Sequence, residues 1–544
     1  MMSEREIVPE FGNKVSRLAA LFGFSILLIA LTRLPFMPAH LFSFDSVNLA
    51  LALDHFDPTI EQPQPPGYPL FVFEARLLNH LFGDPQQTFA VLGIAVCGLA
   101  VAMLYLVGKE LFSPRVGMVA AALLFVNPPF WYSSLTSGLR PHLALVSAVV
   151  AYFCWRTKQG ERGPLYAASI ALGVGGGARP ELFLLLLPLW IWAAWQTRDR
   201  RAIVRGGLIL AGSALFWAAI ILMASGGPQR AIAYFMDYLV VQTEHTSVVL
   251  DPSTSWRRAV GRAVIWTGLG AVPWLWTLPL AWKSFGRTSD WIRKLVFLLL
   301  WFAPIFGFFL AVHVADPDHT LAIIPPLCLV GGIALVEAEK RVARAWMPQV
   351  LDGGLFVWVA LVGNLVLFFG EMPLPQRNPV AEFRGLTSAS DAARIGTYET
   401  SYAKVRWIEQ MTDLGLKSIA ELKSTTSRPV WLIWLQDGEP VWRKLGVYFP
   451  EQPMYVLMEA DQLEVHSTEA RFYAGSRLVK RYTGQTSLLL PVPKGARLIW
   501  VAGANQADAL RGILPVQSFS SLQYIDLPVD SPSIRWGPFE IVPE

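Results

Sequence analysis

The sequence predicts an α-helical polytopic membrane protein with about eleven transmembrane helices, followed by a soluble α/β domain. Three observations support this fold class: the composition, the length of the apolar segments, and a change of pattern near residue 373. The 544 residues are 53% hydrophobic and only 16% charged, and they include 21 tryptophans. Soluble domains are typically about 25% charged, so this chain requires an apolar solvent.

About eleven segments approach the roughly 20 apolar residues that a membrane-spanning helix needs. Residues 68–82 are too short and too charged to span, and they predict an amphipathic helix at the membrane interface. The first segment follows basic residues and ends without a small-residue cleavage site, so we expect an uncleaved anchor. The predicted spans are 16–36, 86–108, 115–133, 140–156, 163–178, 180–196, 204–225, 259–282, 293–313, 320–337 and 350–372.

The distribution of basic residues predicts the orientation of these segments. If the N-terminus is cytoplasmic, every connecting loop on the cytoplasmic side is short and basic, whereas the outer loops hold roughly half as many cations. An odd number of spans then carries the chain outside after residue 372. We therefore expect a multi-pass protein of a bacterial inner or plasma membrane with an extracytoplasmic C-terminal region. The basic inner loops lie at 109–115, 156–162, 198–205, 283–294 and 340–344.

The C-terminal region has the pattern of a water-soluble α/β domain. The runs PVWLIWL, PMYVLM and ARLIWVA predict strands, and SYAKVRWIEQM predicts a helix. We therefore expect two domains, 1–372 in the membrane and 373–544 outside it, the second of ordinary domain size. The net charge of +4 is small and indicates no nucleic-acid partner. All three cysteines lie in apolar runs, which argues against a disulfide framework.

Polar segments gather on the predicted outer face. Ionisable groups at membrane depth are energetically costly, so their presence favours a functional role. Because all these segments fall on one side, the sequence predicts a single site at the outer interface. The segments are 42–70, which ends in QPPGYPL, SSLTSGLRPH at 133–142, GGGARPELF at 175–183, 234–258, and HVADPDHT at 313–320.

Residue types within these segments indicate the chemistry. Asp45 follows the first span at an apolar boundary, where partial desolvation is expected to raise its pKa toward that of a general base. Arg140 and Arg179 each precede a proline at the outer end of a span, and arginine binds phosphate through paired hydrogen bonds. This set predicts attack by an acceptor hydroxyl on a lipid-linked phospho-sugar. Alternatively, Asp45 caps a helix and the arginines are anchors that extend toward the headgroups.

The outer loop at 313–320 also contains residues compatible with a divalent cation. His313, Asp316, Asp318 and His319 offer suitable ligand atoms, but such spacing is common in loops. We therefore assign no metal and no other cofactor.

Together these motifs resemble the GT-C superfamily of polyprenyl-phosphate-sugar-dependent glycosyltransferases, and most of all its protein O-mannosyltransferase-like branch. The likeness lies in Asp45-Ser46 after the first span, and in the PPGYPL turn that starts about twenty residues later. Arg179-Pro180-Glu181 and Asp318-His319 add weaker matches. Two positions differ, since Asn48 replaces the second acid of the family and Gln64 replaces its histidine before PPG.

The resemblance implies an inverting glycosyltransferase with Asp45 as the catalytic base. Its expected partners are a polyprenyl-phosphate sugar donor, membrane lipids, and a protein, lipid or glycan acceptor that the sequence does not identify. Arg140, Arg179 and His319 are expected to bind the donor phosphate. Supporting or acceptor-binding roles are expected for Ser46, Asn48, Gln64, Tyr68, His142, Glu181 and Asp318.

Three other functions compete with this hypothesis. A lipid or polysaccharide transporter or flippase is one, but transporters tend to have repeats and polar groups near the bilayer midplane. A non-catalytic receptor or scaffold would explain the C-terminal domain but not Asp45 with the converging arginines. An outer-face glycopolymer ligase would use a similar donor with a different acceptor.

Overall fold

The computed structural model describes residues 7–158, 161–243, 247–250, 256–285, 290–314, 316–345, 354–370, 396–435, 438–459, 468–484 and 487–544. The chain divides into two compact units. The first, here called the helical unit, comprises Met1–Met37 and Ala50–Lys404, and the C-terminal unit comprises Pro38–Leu49 and Val405–Glu544. The predicted domain boundary at 372/373 lies outside the described residues.

The described residues up to Gly370 include α-helices and short 3₁₀ helices. The 3₁₀ helices lie at Leu34–Phe36, Pro58–Ile60, Leu269–Ala271, Leu275–Thr277 and Pro317–Ala322. The α-helices are α1 (Ile7–Arg33), α2 (Phe44–Asp54), α3 (Pro69–Phe82), α4 (Pro85–Leu111), α5 (Pro114–Val126), α6 (Pro128–Thr136), α7 (Pro141–Arg156), α8 (Gly163–Gly175), α9 (Glu181–Thr197), α10 (Arg200–Ala224), α11 (Pro228–Thr243), α12 (Trp256–Gly268), α13 (Leu278–Phe285), α14 (Trp291–Ala311), α15 (Ile324–Ala345) and α16 (Leu355–Phe369).

Capping residues and prolines determine where several of these helices begin. Helices α4, α5 and α6 each start with a proline that follows Asp84, Ser113 and Asn127, respectively. Each of these three side chains accepts a hydrogen bond from a backbone N–H in the first helical turn. The cap satisfies an exposed donor, and proline has no N–H that would need a partner at this position. At Asn127 the same arrangement bends the chain, so that α5 and α6 meet at 55°.

Many of the helices are suited to lipid. Among the described residues, four helices are long and apolar enough to cross a membrane, and the number rises to six if two bent helix pairs each count as one span. Shorter apolar helices lie at Gly163–Gly175, Glu181–Thr197 and Leu355–Phe369. Every predicted span overlaps a helix, but the count of eleven stays a prediction. The chain is an integral membrane protein, and α10 exposes Leu208, Leu215 and Phe216 on its surface.

Close helix packing in this unit depends on small residues. Gly108 in α4 faces Gly117 in α5, and a Cβ atom added to Gly117 would lie 2.5 Å from the carbonyl oxygen of Tyr105. Only glycine allows these two backbones to approach so closely, which is how helices commonly associate in membranes. The short distance between the helices fixes α4 against α5 in the core of the helical unit.

The C-terminal region contains strands, as predicted. The strands are β1 (Val430–Leu435), β2 (Pro453–Met458), β3 (Glu469–Ala474), β4 (Arg477–Thr483), β5 (Leu488–Val492), β6 (Arg497–Val501), β7 (Gln517–Phe519), β8 (Leu522–Asp526), β9 (Ile534–Trp536) and β10 (Phe539–Pro543). The helices are α17 (Tyr402–Ser424), α18 (Trp442–Tyr448) and α19 (Ala504–Ile513). The main sheet has the order β4-β3-β2-β1-β6-β8-β7, in which β2, β1 and β6 are parallel, and a second sheet has the order β5-β10-β9.

The start of the 42–70 segment folds with the C-terminal unit. His40 Nδ1 lies 2.7 Å from Glu409 Oε1 on α17, and the Leu41 backbone N–H donates to Tyr448 Oη at 2.9 Å. The Phe44 and Trp442 rings pack edge to face with centroids 5.6 Å apart. The entry to α2 is therefore held by residues that come more than 350 positions later in the chain.

Candidate active site

Helix α2 presents Asp45 in its first turn. Ser43 precedes the helix, and its Oγ accepts a hydrogen bond from the Ser46 backbone N–H at 3.2 Å. The Ser46 hydroxyl also lies 3.1 Å from the Ser43 hydroxyl. Ser43 therefore supplies the helix cap, which was the alternative function considered for Asp45. The half-buried Asp45 carboxylate sits near the positive end of the α2 dipole.

Two buried amides occupy the positions at which the sequence departs from the GT-C pattern. Asn48 in α2 is 0% exposed, and Gln64 in the QPPGYP turn is 2% exposed. The side-chain nitrogen and oxygen of both residues have no hydrogen-bond partner among the described residues. Leaving a buried polar group unpaired costs about 1–3 kcal/mol, so such groups favour a role toward a polar ligand. An amide recognises hydroxyl groups, since it both donates and accepts.

The QPPGYP turn contacts the turn that contains Arg179. The Leu70 backbone N–H donates to the Gly177 carbonyl at 3.0 Å, which joins two segments that the sequence placed on the same face. Tyr68 has a φ of 46°, a left-handed conformation that is uncommon for a residue other than glycine. This conformation places the Tyr68 ring 5.3 Å from the Arg179 guanidinium carbon.

Arg179 is 6% exposed and lies between α8 and α9. Its Nη1 donates to Tyr68 Oη at 3.4 Å, and its Nη2 forms an ion pair with Glu181 Oε1 at 2.5 Å. The Nε has no hydrogen-bond partner among the described residues. Tyr68 and Glu181, predicted as supporting residues, therefore orient the guanidinium, which retains an N–H donor for a ligand.

Arg140 and Asp318 form a second buried ion pair. Arg140 directly precedes α7 and is 6% exposed, and Asp318 in the 3₁₀ helix Pro317–Ala322 is 7% exposed. Arg140 Nε lies 3.7 Å from Asp318 Oδ1. The same two segments are also joined by Ser147 Oγ, which donates to the Ala322 carbonyl at 2.6 Å. The loop at 313–320 is thereby attached to the N-terminal half of α7.

Two histidines complete this polar cluster. The His313 and His319 ring centroids are 5.6 Å apart. Burial lowers the pKa of His319 well below 6.5, and the charges of Arg140 and Arg179 lower it further. Burial also lowers the pKa of His313 to about 4, despite the opposing effect of Asp316. Both imidazoles are therefore neutral at pH 7, and the positive charge of the cluster comes from the two arginines.

The same loop offers ligand atoms for a cation. One such atom from each of Asp316, Asp318 and His319 lies within 4.8 Å of the others. Oxygen and imidazole ligands suit several divalent metals. Arg140 competes for the Asp318 carboxylate, however, because it forms an ion pair with it. The assignment of no metal stays a prediction.

Three further residues, to which the sequence analysis assigned no role, lie near the site. Lys404 at the start of α17 places its Nζ 5.5 Å from the ring centroid of buried Tyr132, and Lys404 is within electrostatic reach of Asp316. On α3, Glu74 Oε2 lies 2.9 Å from Nε2 of His142, which is 3% exposed. No local pattern marks these residues, because each partner is distant in the chain.

An apolar cavity of about 270 Å³ lies beside the QPPGYP turn. Pro65 and Pro66 form one side, and helices α10 and α11 contribute residues that include Trp217, Ile221 and Phe235. Its lining is almost entirely apolar, and α10 is among the membrane-crossing candidates. The cavity therefore suits a hydrocarbon chain better than a polar group.

A helical membrane unit with buried arginines beside its polar loops, together with a strand-containing C-terminal unit, defines an integral membrane protein. Comparisons with known proteins support this class. Residues 63–224 match the family described as dolichyl-phosphate-mannose-protein mannosyltransferase. A comparison of the sequence with curated proteins found no match.

Solved structures extend the likeness over nearly the whole chain. ArnT from Cupriavidus metallidurans bound to undecaprenyl phosphate aligns with a TM-score of 0.55 and 14% identity, over 93% of this chain and 97% of that chain. ArnT in the apo state aligns with a TM-score of 0.53 and 15% identity, over 94% of this chain and 98% of that chain. AftD, an arabinofuranosyltransferase from Mycobacteria, aligns with a TM-score of 0.44 and 15% identity, over 77% of this chain and 29% of that chain. The resemblance to the GT-C superfamily predicted from the sequence is confirmed, and the ArnT alignments show a shared fold.

Proposed function

We propose that this protein is an inverting glycosyltransferase that moves a sugar from a polyprenyl-phosphate donor to an acceptor on the outer face of the membrane. The buried arginine cluster carries the proposal. Arg140 and Arg179 are both almost fully buried, and the charges of both lower the pKa values of His313 and His319. Convergent guanidinium groups of low exposure suit a phosphate.

The apolar cavity supports a lipid-linked donor. It adjoins the QPPGYP turn, and this turn also carries Tyr68, which contacts Arg179. A donor with a phosphate on the arginines would have space nearby for part of its isoprenoid chain. The ArnT structure with the same fold contains undecaprenyl phosphate, which supports a related lipid here.

In the proposed reaction, Asp45 removes the proton from an acceptor hydroxyl as its oxygen attacks the anomeric carbon of the sugar. The bond between that carbon and the phosphate oxygen breaks, and polyprenyl phosphate leaves with its charge stabilised by Arg140 and Arg179. His319 serves as a neutral hydrogen-bonding contact to the phosphate. The amides of Asn48 and Gln64 are suited to hydroxyl groups of the sugar or the acceptor.

The proposal includes a topology. Eleven spans with a cytoplasmic N-terminus put the basic loops inside, in accordance with the positive-inside rule. Asp45, the arginines and the C-terminal unit would then all lie outside the cytoplasm of a bacterial cell.

Catalysis by Asp45 is tested with purified protein in nanodiscs, a panel of undecaprenyl-phosphate-linked radiolabelled sugars, and membrane extract as the acceptor source. Wild type should release undecaprenyl phosphate with at least one sugar. Asp45→Asn should lower turnover by about two or more orders of magnitude, because the carboxamide cannot accept the proton. Its melting temperature should stay unchanged, since Ser43 caps the helix. Normal turnover by Asp45→Asn would refute its role as the base.

The topology is tested with a cysteine at the exposed position Ser424 of α17. The native cysteines are buried, so Ser424→Cys should provide the reactive thiol. A membrane-impermeant maleimide should label Ser424→Cys in intact spheroplasts and should not label wild type. Labelling only after lysis would place the C-terminal unit in the cytoplasm and would contradict the outer-face mechanism.

A further inference from the structure

We infer that Glu74 and Arg76 of α3 are positioning residues that hold two separate parts of the active site in place. The two residues lie two positions apart, so their side chains leave the helix in nearly opposite directions. Each makes its own contact: Arg76 with helix α2, and Glu74 with the start of α7. This inference rests on the function proposed above, because α2 carries the proposed base and α7 follows Arg140.

Arg76 binds the C-terminal end of α2. Its Nε donates to the Leu53 carbonyl and its Nη2 to the Ala52 carbonyl, each at 2.8 Å. The last carbonyls of a helix have no partner within the helix and carry partial negative charge. A guanidinium there donates hydrogen bonds to them and compensates that charge. Asp45 belongs to the first turn of the same eleven-residue helix. Any rotation of α2 about its anchored end would move the Asp45 carboxylate.

Glu74 holds His142 in the first turn of α7. The His142 Nε2 lies 2.9 Å from Glu74 Oε2, and its Nδ1 lies 2.9 Å from the Leu139 carbonyl oxygen. The ring is therefore held on both sides, by the Glu74 carboxylate and by the Leu139 carbonyl. This arrangement restrains the start of α7. It fixes the residues on both sides of Arg140, which forms the ion pair with Asp318.

The remaining face of α3 is apolar and exposed. Phe73, Leu77 and Leu81 are 60%, 55% and 78% exposed and are spaced four residues apart, so they form one stripe. This stripe suits the membrane interface predicted for residues 68–82. Glu74 and Arg76 are therefore not simply polar side chains exposed to water, because each is half-buried and contacts a specific partner. Helix α3 therefore contacts both the end of α2 and the start of α7.

The two contacts predict separable kinetic effects. Loss of the Arg76 contact should displace the base and lower kcat, because a displacement of about 1 Å can cost up to a hundredfold in rate. Donor binding should remain, since Arg140 and Arg179 are not attached through Arg76. Loss of the Glu74 charge should loosen the turn at Arg140 and weaken donor binding, while the chemical step retains its base.

The experiment compares Arg76→Gln, Arg76→Lys and Glu74→Gln with wild type and with His80→Gln, an exposed position on the same helix. We expect Arg76→Gln to lower kcat at least tenfold with the Kd for undecaprenyl phosphate within twofold. Arg76→Lys should recover most of the kcat, because an ammonium still reaches the carbonyls. Glu74→Gln should raise that Kd at least fivefold with kcat within twofold. His80→Gln should match wild type.

Hydrogen exchange of residues 44–54 provides a readout that needs no substrate, and Arg76→Gln alone should accelerate it. Equal losses of kcat and affinity in both variants, or unchanged kinetics in Arg76→Gln, would overturn the inference. If wild type neither binds undecaprenyl phosphate nor transfers a sugar, the proposed function fails and the positioning role fails with it. An active wild type with unaffected variants overturns the positioning role alone.

Discussion

Arg179 in the helical unit and Arg497 in the C-terminal unit are buried to the same degree but differ in their partners. Arg497 is 7% exposed and Arg179 is 6% exposed. Arg497 Nε and Nη2 donate to the two Asp526 oxygens at 2.6 and 2.7 Å, and its Nη1 donates to the Leu422 carbonyl and Thr425 Oγ1 at 2.8 and 2.7 Å. Arg179 has an ion pair, one long hydrogen bond to a tyrosine, and an Nε without a partner among the described residues.

The difference separates a structural arginine from the one that we propose binds the donor phosphate. In Arg497 every nitrogen of the guanidinium donates to a protein oxygen, so the residue ties α17 to β6 and β8. A buried charge is tolerated when its hydrogen bonds are complete, and an incomplete set requires an explanation. In Arg179 a phosphate would supply the missing acceptor. Burial alone therefore does not identify a site, and the proposed role of Arg179 depends on its unpaired Nε as well.

The largest effect in this comparison is expected for Arg497→Met. It leaves the Asp526 carboxylate without its partner and should destabilise the C-terminal unit by about 3 kcal/mol. Hydrogen exchange in β6 and β8 should accelerate by about two orders of magnitude. The affinity for undecaprenyl phosphate should stay within twofold of wild type. A large loss of affinity with unchanged exchange would reverse the roles assigned to the two arginines.

A smaller effect, on binding alone, is expected for Arg179→Lys. Lysine keeps the charge but loses the planar fork, so the Kd for undecaprenyl phosphate should rise about tenfold. Hydrogen exchange in the C-terminal unit should not change. Arg497→Lys is the matched control and should show wild-type affinity. Wild-type affinity in Arg179→Lys would mean that Arg179 only anchors the helix end, the alternative raised by its position in the sequence.

Much of the polar cluster around Arg140 and Arg179 could be predicted from the sequence, because its residues lie where the chain is predicted to leave the membrane. Arg140 and Arg179 each precede a proline at the end of an apolar segment, and the loop with Asp318 and His319 joins two such segments. Loops on one face of a helical membrane protein are close in space, so local patterns were enough to predict that these residues lie on the same face. Their roles as phosphate contacts remain predictions.

Other parts of the site depend on contacts between residues distant in the sequence. Lys404 contacts Tyr132 across more than 270 positions, and it lies in a run whose pattern indicates only a helix. The Ser43 cap is a local contact, but it was not predicted because Ser43 and Asp45 are both good capping residues and only the backbone hydrogen bonds distinguish them. Periodicity predicts elements, but long-range pairing depends on how the elements pack.

The smallest effect concerns pH, and it again separates the two units. Burial lowers the pKa of His313 from 6.5 to about 4 and lowers that of His319 well below 6.5. The unfolded chain binds these protons more readily, so the stability of the helical unit falls as the pH drops below 6.5. In the C-terminal unit, hydrogen bonds from Arg497 lower the pKa of Asp526 below 3.8. That contribution is complete above pH 3.8 and is lost only below it.

Between pH 6.5 and 4.5, therefore, acid should destabilise the helical unit through its histidines while the Arg497–Asp526 pair still contributes fully. Thermal unfolding of purified protein at pH 7.0, 5.5 and 4.5 should show a melting temperature that falls by several degrees over this range. His313→Gln should reduce the fall, because glutamine takes up no proton, whereas Asp526→Asn should leave its size unchanged. An equal fall in wild type and His313→Gln would show that protonation of His313 does not contribute. A reduced fall in Asp526→Asn would place the acid sensitivity in the C-terminal unit, contrary to the directions of the two pKa shifts.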